Sequence, residues 1–377
     1  MELVGEFDRL AARRDGFGIS KMLSNFCPPN RPRDSESTDP DKVAFLKTHA
    51  LSHWLESTGM IADAYSSREK SVRHLVNFLQ ADSDYLLPVL RQFLRHLFVL
   101  ATKADKTRKK DSEETFTMKC NKFLSQLWPN IVNDDERNYA CIPLYIVGWK
   151  CAHHLNATTV VSRWRLPSVT MQLSDEVVYR YWQGLVEFKS NHWKAAEEHL
   201  SFAFLSMPAK YYKQRRCTLW RLIPAKLALC LETKHAIGSE KLFRDFKMME
   251  LGEISKAFIQ GNVRVFEKNL RDHEDLYVKK EIYLPLTKLR MLLYRNLLKR
   301  AHLVIQRVRG TSSRILLADI CQVVNAGGWN VDEEELECIL SLLIKSGKVK
   351  GKLDPTRGAI MFPTEKSPFP RLIDRMG

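Results

Sequence analysis

Between Ser174 and Pro208 the sequence "SDEVVYRYWQGLVEFKSNHWKAAEEHLSFAFLSMP" sets large and small apolar residues three and four apart, breaks once, and resumes. That spacing is the signature of one face of an α-helix. Two such runs around a short polar break make a helical hairpin. Gly184 lets the two helices approach. Phe188 and Trp193 bracket the turn at Ser190-Asn191, Ala196 and Ala203 form the packing seam, and Pro208 ends the second helix. A single hairpin of this tetratricopeptide-like kind cannot bury its own apolar face, so it demands neighbours on both sides.

The surrounding chain supplies them. Residues 42–80 carry a helical pattern that divides near Gly59 or Ser66. A further helix opens from the cap-rich "DSDYLLP", and two more cover 114–127 and 139–155. Beyond the hairpin, helices are expected at 215–230, 240–249, 253–259, 262–270 and 285–309. After Gly310 the pattern changes. "SSRILLADICQVVNAGGWN" reads as a short strand running into a helix. "VDEEELECILSLLIKSG" is a second helix with acids in its first turn and Gly347 at its end. "KVKGKLDPTRGAIMFP" alternates as a β-hairpin. Helix, helix and two-stranded wing make a winged helix.

The expected architecture is therefore mostly α: a right-handed stack of helical hairpins ending in a C-terminal winged helix. Its parts are a flexible N-terminal segment (1–41), N-terminal helical repeats (42–173), a second helical part (174–309), the winged helix (310–365) and a tail (366–377). The segment 105–114 reads as a charged linker.

Composition enters through charge and chemistry. The chain has 377 residues and a formal charge of +15, of which residues 1–175 hold +3 and residues 176–377 hold +12. A field of that sign on one half points to nucleic acid or to an acidic protein partner. No apolar run is long enough for a membrane span, and the N-terminus lacks a signal-peptide core. The eight cysteines form no C-x-x-C pair and read as reduced thiols of an intracellular protein. Phosphate-binding, nucleophile-elbow and zinc-protease motifs are all missing. His49 and His53 share a helical face without a third ligand, and His153-His154 cannot share one. No enzyme, cofactor or metal site is expected.

Three basic segments stand out. Residues 279–314 carry ten Lys or Arg against the single acid Glu281. On one continuous helix Lys288, Arg295 and Lys299 fall within about 40° of one another, with Arg300, Arg307 and Arg309 following. The wing adds Lys345, Lys348, Lys350, Lys352 and Arg357. In "KYYKQRRCTLWR" (210–221) aromatics interleave with cations, which suits either base stacking or packing against the next helix. The second helix of the winged helix starts Asp332-Glu333-Glu334-Glu335. Four carboxylates in a groove repel phosphate, so sequence-specific reading by that helix is not expected.

Helical repeats running into one winged helix are the architecture of PCI-domain proteins. The segments "AAEEHLSFAF", "RLIPAKLAL", "GNVRVFEKNLRDHE", "LRMLLYRNLLKR", "LECILSLLIKSGKVKG", the tail "SPFP" and, upstream, "YLLPVLRQFLRHLFVLATKAD" resemble the PCI subunit of the nuclear-pore-associated mRNA-export complex (transcription–export complex 2). The signalosome-subunit-12-like proteins belong to the same branch. The likeness runs from about Lys42 to Pro370. It implies a non-enzymatic subunit, nuclear and partly cytoplasmic, in a hetero-oligomer with a larger PCI-domain scaffold protein and a small acidic proteasome-lid-type protein. It also implies a basic platform for RNA or DNA. On this sequence the platform candidates are Lys288, Arg295, Lys299, Arg300, Arg307, Arg309, Lys348, Lys350 and Arg357. The docking candidates are Leu336, Ile339, Leu340, Leu343 and Phe369. Where the family commonly has an aromatic after Lys350-Gly351, this chain has Lys352-Leu353.

Overall fold

The computed structural model describes residues 2–26, 28, 30–32, 40–79, 82–107, 114–134, 137–155, 164, 166, 171–229, 239–310, 313–363 and 367–370. The chain divides into two compact units, Met1–Trp182 and Gln183–Gly377. Most of the expected charged linker, and the last residues of the tail, lie outside the described residues.

The first unit opens with α1 (Glu2–Ala12) and α2 (Gly16–Asn25), where a flexible segment was expected. Phe7, Ile19 and Leu23 are fully buried, and the Asp15 carboxylate caps α2 by accepting from Gly18 N. Three large side chains removed from water hold two short helices that would not persist alone. Then come α3 (Asp41–Ser57) and α4 (Ile61–Phe78), divided at Gly59, followed by α5 (Leu87–Thr107), α6 (Phe116–Val132) and α7 (Cys141–His154).

Inside this unit lies a buried polar network. The His49 ring, enclosed on α3, bonds the Leu23 carbonyl through Nε2 (3.1 Å) and Arg68 Nη1 through Nδ1 (2.6 Å). Those partners fix the tautomer: Nε2–H donates to the carbonyl and Nδ1 accepts from the guanidinium. The Arg68 guanidinium sits 4.7 Å from the Phe93 ring centroid, and His49 stacks on the same ring. His53 stacks on His96, and His96 Nε2 lies 2.8 Å from Glu56 Oε2. His49 and His53, expected as surface or packed side chains, both sit against neighbouring rings of this network. Among the described residues no cluster of three or more His, Cys, Asp or Glu could hold a metal. No described helix is long and apolar enough to cross a membrane.

The boundary between units falls within α8 (Leu173–Lys189), which α9 (Trp193–Ser206) and α10 (Tyr212–Ala228) follow. The hairpin is built as its sequence predicts. Phe188 and Trp193 meet edge to face at 5.6 Å, and Ala196 and Ala203 are fully buried. A Cβ on Gly184 would come within 2.7 Å of Leu200 Cγ, so only glycine permits this approach. Among the described residues the unit continues with α11 (Glu240–Asp245), α12 (Met249–Gln260), α13 (Val263–Asp272), α14 (Glu274–Lys279), α15 (Tyr283–Lys288) and α16 (Arg290–Arg309).

The winged helix follows as β1 (Arg314–Leu316), α17 (Leu317–Ala326), α18 (Glu333–Lys345), β2 (Lys352–Asp354) and β3 (Ala359–Met361). Its sheet has the order β1-β3-β2, antiparallel throughout. Gly358 turns the hairpin with φ near +52°, a left-handed conformation. The core of this module includes Leu298, Ala301 and Ile305 of α16 beside Ile315, Leu336, Leu340, Leu343, Ile360 and Phe362. The last helix before Gly310 is thus the first wall of the winged-helix core.

Candidate nucleic-acid interface

The wing sheet exposes one coherent face. In register across its three strands stand Arg314, Met361 and Lys352, all exposed. Directly opposed residues point to the same side of a sheet. Ile315, Ile360 and Leu353 point to the other side, and the first two are core. The outer face therefore carries a methionine flanked by two cations and, two residues along each strand, Leu316, Ala359 and the carboxylate of Asp354. Lys348 and Lys350, both half-buried, lead into β2, and exposed Arg357 sits in the turn with Nε 4.0 Å from Asp354 Oδ2. Strand alternation in "RIL" and "AIM" could have exposed this row. The sequence reading gave Arg314 to the strand that opens the winged helix and counted it in the basic segment 279–314, but did not include it among the platform candidates.

The α16 candidates are not brought together with the wing as one stripe. The chain steps at Leu289, so Lys288 closes α15 while Arg295 belongs to α16. Lys288 is exposed, and its Nζ donates to Asn191 Oδ1 at 2.9 Å. Arg295 is not a platform residue. It is 1% exposed and donates from Nε to the Lys348 carbonyl (3.1 Å), from Nη1 to Asn296 Oδ1 (3.2 Å) and from Nη2 to the Pro370 carbonyl (2.7 Å). Five donors in a fixed fork suit a buried clamp on carbonyls as well as they suit phosphate.

Lys299 is half-buried beside it on the helix. Arg300 and Arg307 are exposed but lie about 120–140° around α16 from Arg295, on the side away from the module core. Arg309 is exposed and pairs with Asp319.

The docking candidates are also corrected. Leu336, Ile339, Leu340, Leu343 and Phe369 are all buried in the winged-helix core. They are the apolar stripe of an amphipathic helix and its strap, and a stripe that periodicity reveals belongs to the core. The exposed apolar residues are others. On α16 Leu303 (46% exposed), Val304 and Val308 (78%) lie among Arg300 and Arg307, and on α18 Leu342 is exposed.

The acidic start of α18 has a structural reason. Asp332 caps the helix by accepting from Glu335 N at 2.7 Å, and Glu333, Glu334 and Glu335 stand exposed in the first turn, where the helix dipole favours them.

For residues 210–221 the structure favours packing. Tyr212 stacks on Phe246 at 5.1 Å, the Arg215 guanidinium lies 4.6 Å over Phe204, and Arg216 donates to the Lys247 carbonyl at 2.8 Å.

Residues 270–364 match the PCI domain family. The matched span starts in α13 and runs through β3. The chain is 32% identical over 204 residues to the PCI domain-containing protein 2 homolog of Dictyostelium discoideum, covering 53% of this chain and 44% of that protein. It is 29% identical over 201 residues to PCI domain-containing protein 2 of Xenopus laevis, covering 53% and 48%. A third likeness is to the Protein CSN12 homolog of Neurospora crassa, 27% identical over 210 residues, covering 52% and 45%. The matches thus span just under half the length of each of these relatives. Helical hairpins that end in this winged helix, a family match laid over its last helices and wing, and relatives alike across half the chain agree on a PCI domain at residues 270–364.

Proposed function

We propose that the chain is a non-enzymatic scaffold subunit of a nuclear-pore-associated mRNA-export complex. In this reading it docks onto a larger PCI-domain partner, with a small acidic protein as a third member, and presents the wing to RNA or DNA. The observation that carries the reading is the exposed row Arg314–Met361–Lys352, extended by Lys348, Lys350 and Arg357, on a module of the PCI family. Cations on a flat, exposed sheet face contact backbone phosphates without selecting sequence. The ordered motifs that resemble the export-complex subunit support a nuclear place for it. Docking falls to Leu303, Val304 and Val308 of α16, since an exposed apolar stripe marks an interaction site more often than chance exposure does.

A second reading has its own support. The exposed carboxylates of α18 and the apolar stripe of α16 also suit a purely structural PCI subunit of a signalosome- or proteasome-lid-like assembly without nucleic acid.

Affinity purification of the full chain, with mass spectrometry of what co-elutes, separates the two. Export factors and pore proteins are expected. Protease-type subunits would favour the second reading, and retention of neither class contradicts both. Leu303→Asp with Val308→Asp is expected to lower recovery of the large partner at least about tenfold, while circular dichroism stays unchanged because both side chains are exposed. Undiminished recovery rules out this face as the docking site.

A further inference from the structure

The tail strap carries a modification site. Ser367-Pro368 is the only Ser-Pro or Thr-Pro step in the 377 residues. The strap it opens is pinned at three points. The Pro368 carbonyl accepts from Lys350 N at 2.7 Å, the Pro370 carbonyl accepts from Arg295 Nη2 at 2.7 Å, and the Phe369 ring is buried against His302 and Phe362. Ser367 itself is exposed. Its hydroxyl has only long local bonds, donating to the Phe369 carbonyl at 3.3 Å and accepting from Phe369 N at 3.4 Å. The strap therefore runs alongside the backbone of Lys348 and Lys350 at the root of the wing, with an exposed, loosely held hydroxyl on Ser367.

We infer that Ser367 is a phosphorylation site for a proline-directed protein kinase, and that its phosphate switches off nucleic-acid binding at the wing. The regulation rests on the proposed RNA or DNA platform. In the step, Ser367 Oγ attacks the γ-phosphorus of a nucleoside triphosphate. The new Oγ–P bond forms as the bond from that phosphorus to the β–γ bridging oxygen breaks. The hydroxyl proton passes to the kinase base and the nucleoside diphosphate leaves. The product places nearly two negative charges and three acceptor oxygens one residue from the Pro368 carbonyl that holds Lys350 N, at the root of the wing. These draw the lysines inward and repel an approaching phosphodiester backbone, whereas unmodified Ser367 leaves both cations to the ligand.

The test uses the full chain, a proline-directed kinase with ATP, and a fluorescent single-stranded RNA oligonucleotide. Intact mass and fragment spectra should show one phosphoryl group on Ser367. Anisotropy at low salt should then show affinity about tenfold weaker than before treatment. Ser367→Ala should bind as the parent does and ignore the kinase, and Ser367→Glu should bind with an intermediate loss. A chain the kinase leaves unmodified at Ser367 overturns the site. Full modification with unchanged affinity overturns the switch, and leaves the platform standing if Lys348→Glu with Lys350→Glu and Lys352→Glu still abolishes binding. If the unmodified chain binds no RNA at all, the platform reading fails and the switch fails with it.

Discussion

Replacing Arg295 with methionine is expected to destabilise the second unit by about 4 kcal/mol, although the side chain would read from sequence as one more surface cation. The methionine keeps the apolar stem but strands two backbone carbonyls and an amide oxygen that the guanidinium now serves. Hydrogen bonds from a charged donor contribute about 1.5–3 kcal/mol each, and a buried acceptor left alone costs about 1–3 kcal/mol. The loss also frees the strap, because the Pro370 carbonyl is one of its anchors. Arg295→Lys should recover part of the deficit, since an ammonium can reach one carbonyl but cannot fork between two. Urea unfolding followed by circular dichroism measures the change. Hydrogen exchange should place the loosened amides in residues 348–370. A variant within about 1 kcal/mol of the parent contradicts the clamp.

The second large effect is acid sensitivity of the first unit. Burial, and then the Arg68 guanidinium, hold the His53 ring down from the ordinary value of 6.5 to about 4. His49 is lowered by burial and by Arg68 in the same order, and burial also lowers His96, which faces Glu56. Arg68 is itself lowered to about 9 by burial. Lys103 adds a further cation at Glu56, 2.8 Å from Oε1.

A histidine with a depressed folded pKa binds protons more readily when the chain is unfolded. Stability is therefore fully present above pH 6.5 and drains away as the pH falls toward 4. For His53 alone a fall from 6.5 to about 4 amounts to about 3 kcal/mol. His53→Gln should remove that share of the slope between pH 6.5 and 4.5, measured by urea unfolding across the range, while the carboxylate contributions common to both proteins cancel. An identical pH slope in parent and variant contradicts the assignment.

Which parts of this molecule could be read from its sequence follows from where the information sits. The α8–α9 hairpin was legible to the residue because its determinants are local: a glycine where Leu200 approaches, two rings at the turn, two alanines in the seam. The wing hairpin was legible for the same reason. Arg295 was misread because its partners are 53 and 75 residues away and are carbonyls, which no spacing rule marks. A helical wheel gives a side chain's direction but not what waits there.

The docking leucines failed differently. Periodicity finds the stripe that helices bury, so Leu336 and Leu340 were found and are core, whereas Val308 breaks the pattern and is exposed. The two N-terminal helices escaped notice because each is too short for a sustained period. Phe7, Ile19 and Leu23 gain their meaning only from the unit that encloses them.

The central claim is that the wing is a phosphate-binding face of a PCI scaffold. Its most direct test is the salt dependence of RNA binding by the full chain, compared with Lys348→Glu, Lys350→Glu and Lys352→Glu combined. Each phosphate contact on a single strand adds about 0.7 to the slope of log affinity against log salt. The account predicts linear, salt-sensitive binding in the parent, a slope lower by about 2 in the variant, and affinity at low salt weaker by about thirtyfold. Binding with the same slope in both proteins, or no salt-sensitive binding in the parent, would contradict it.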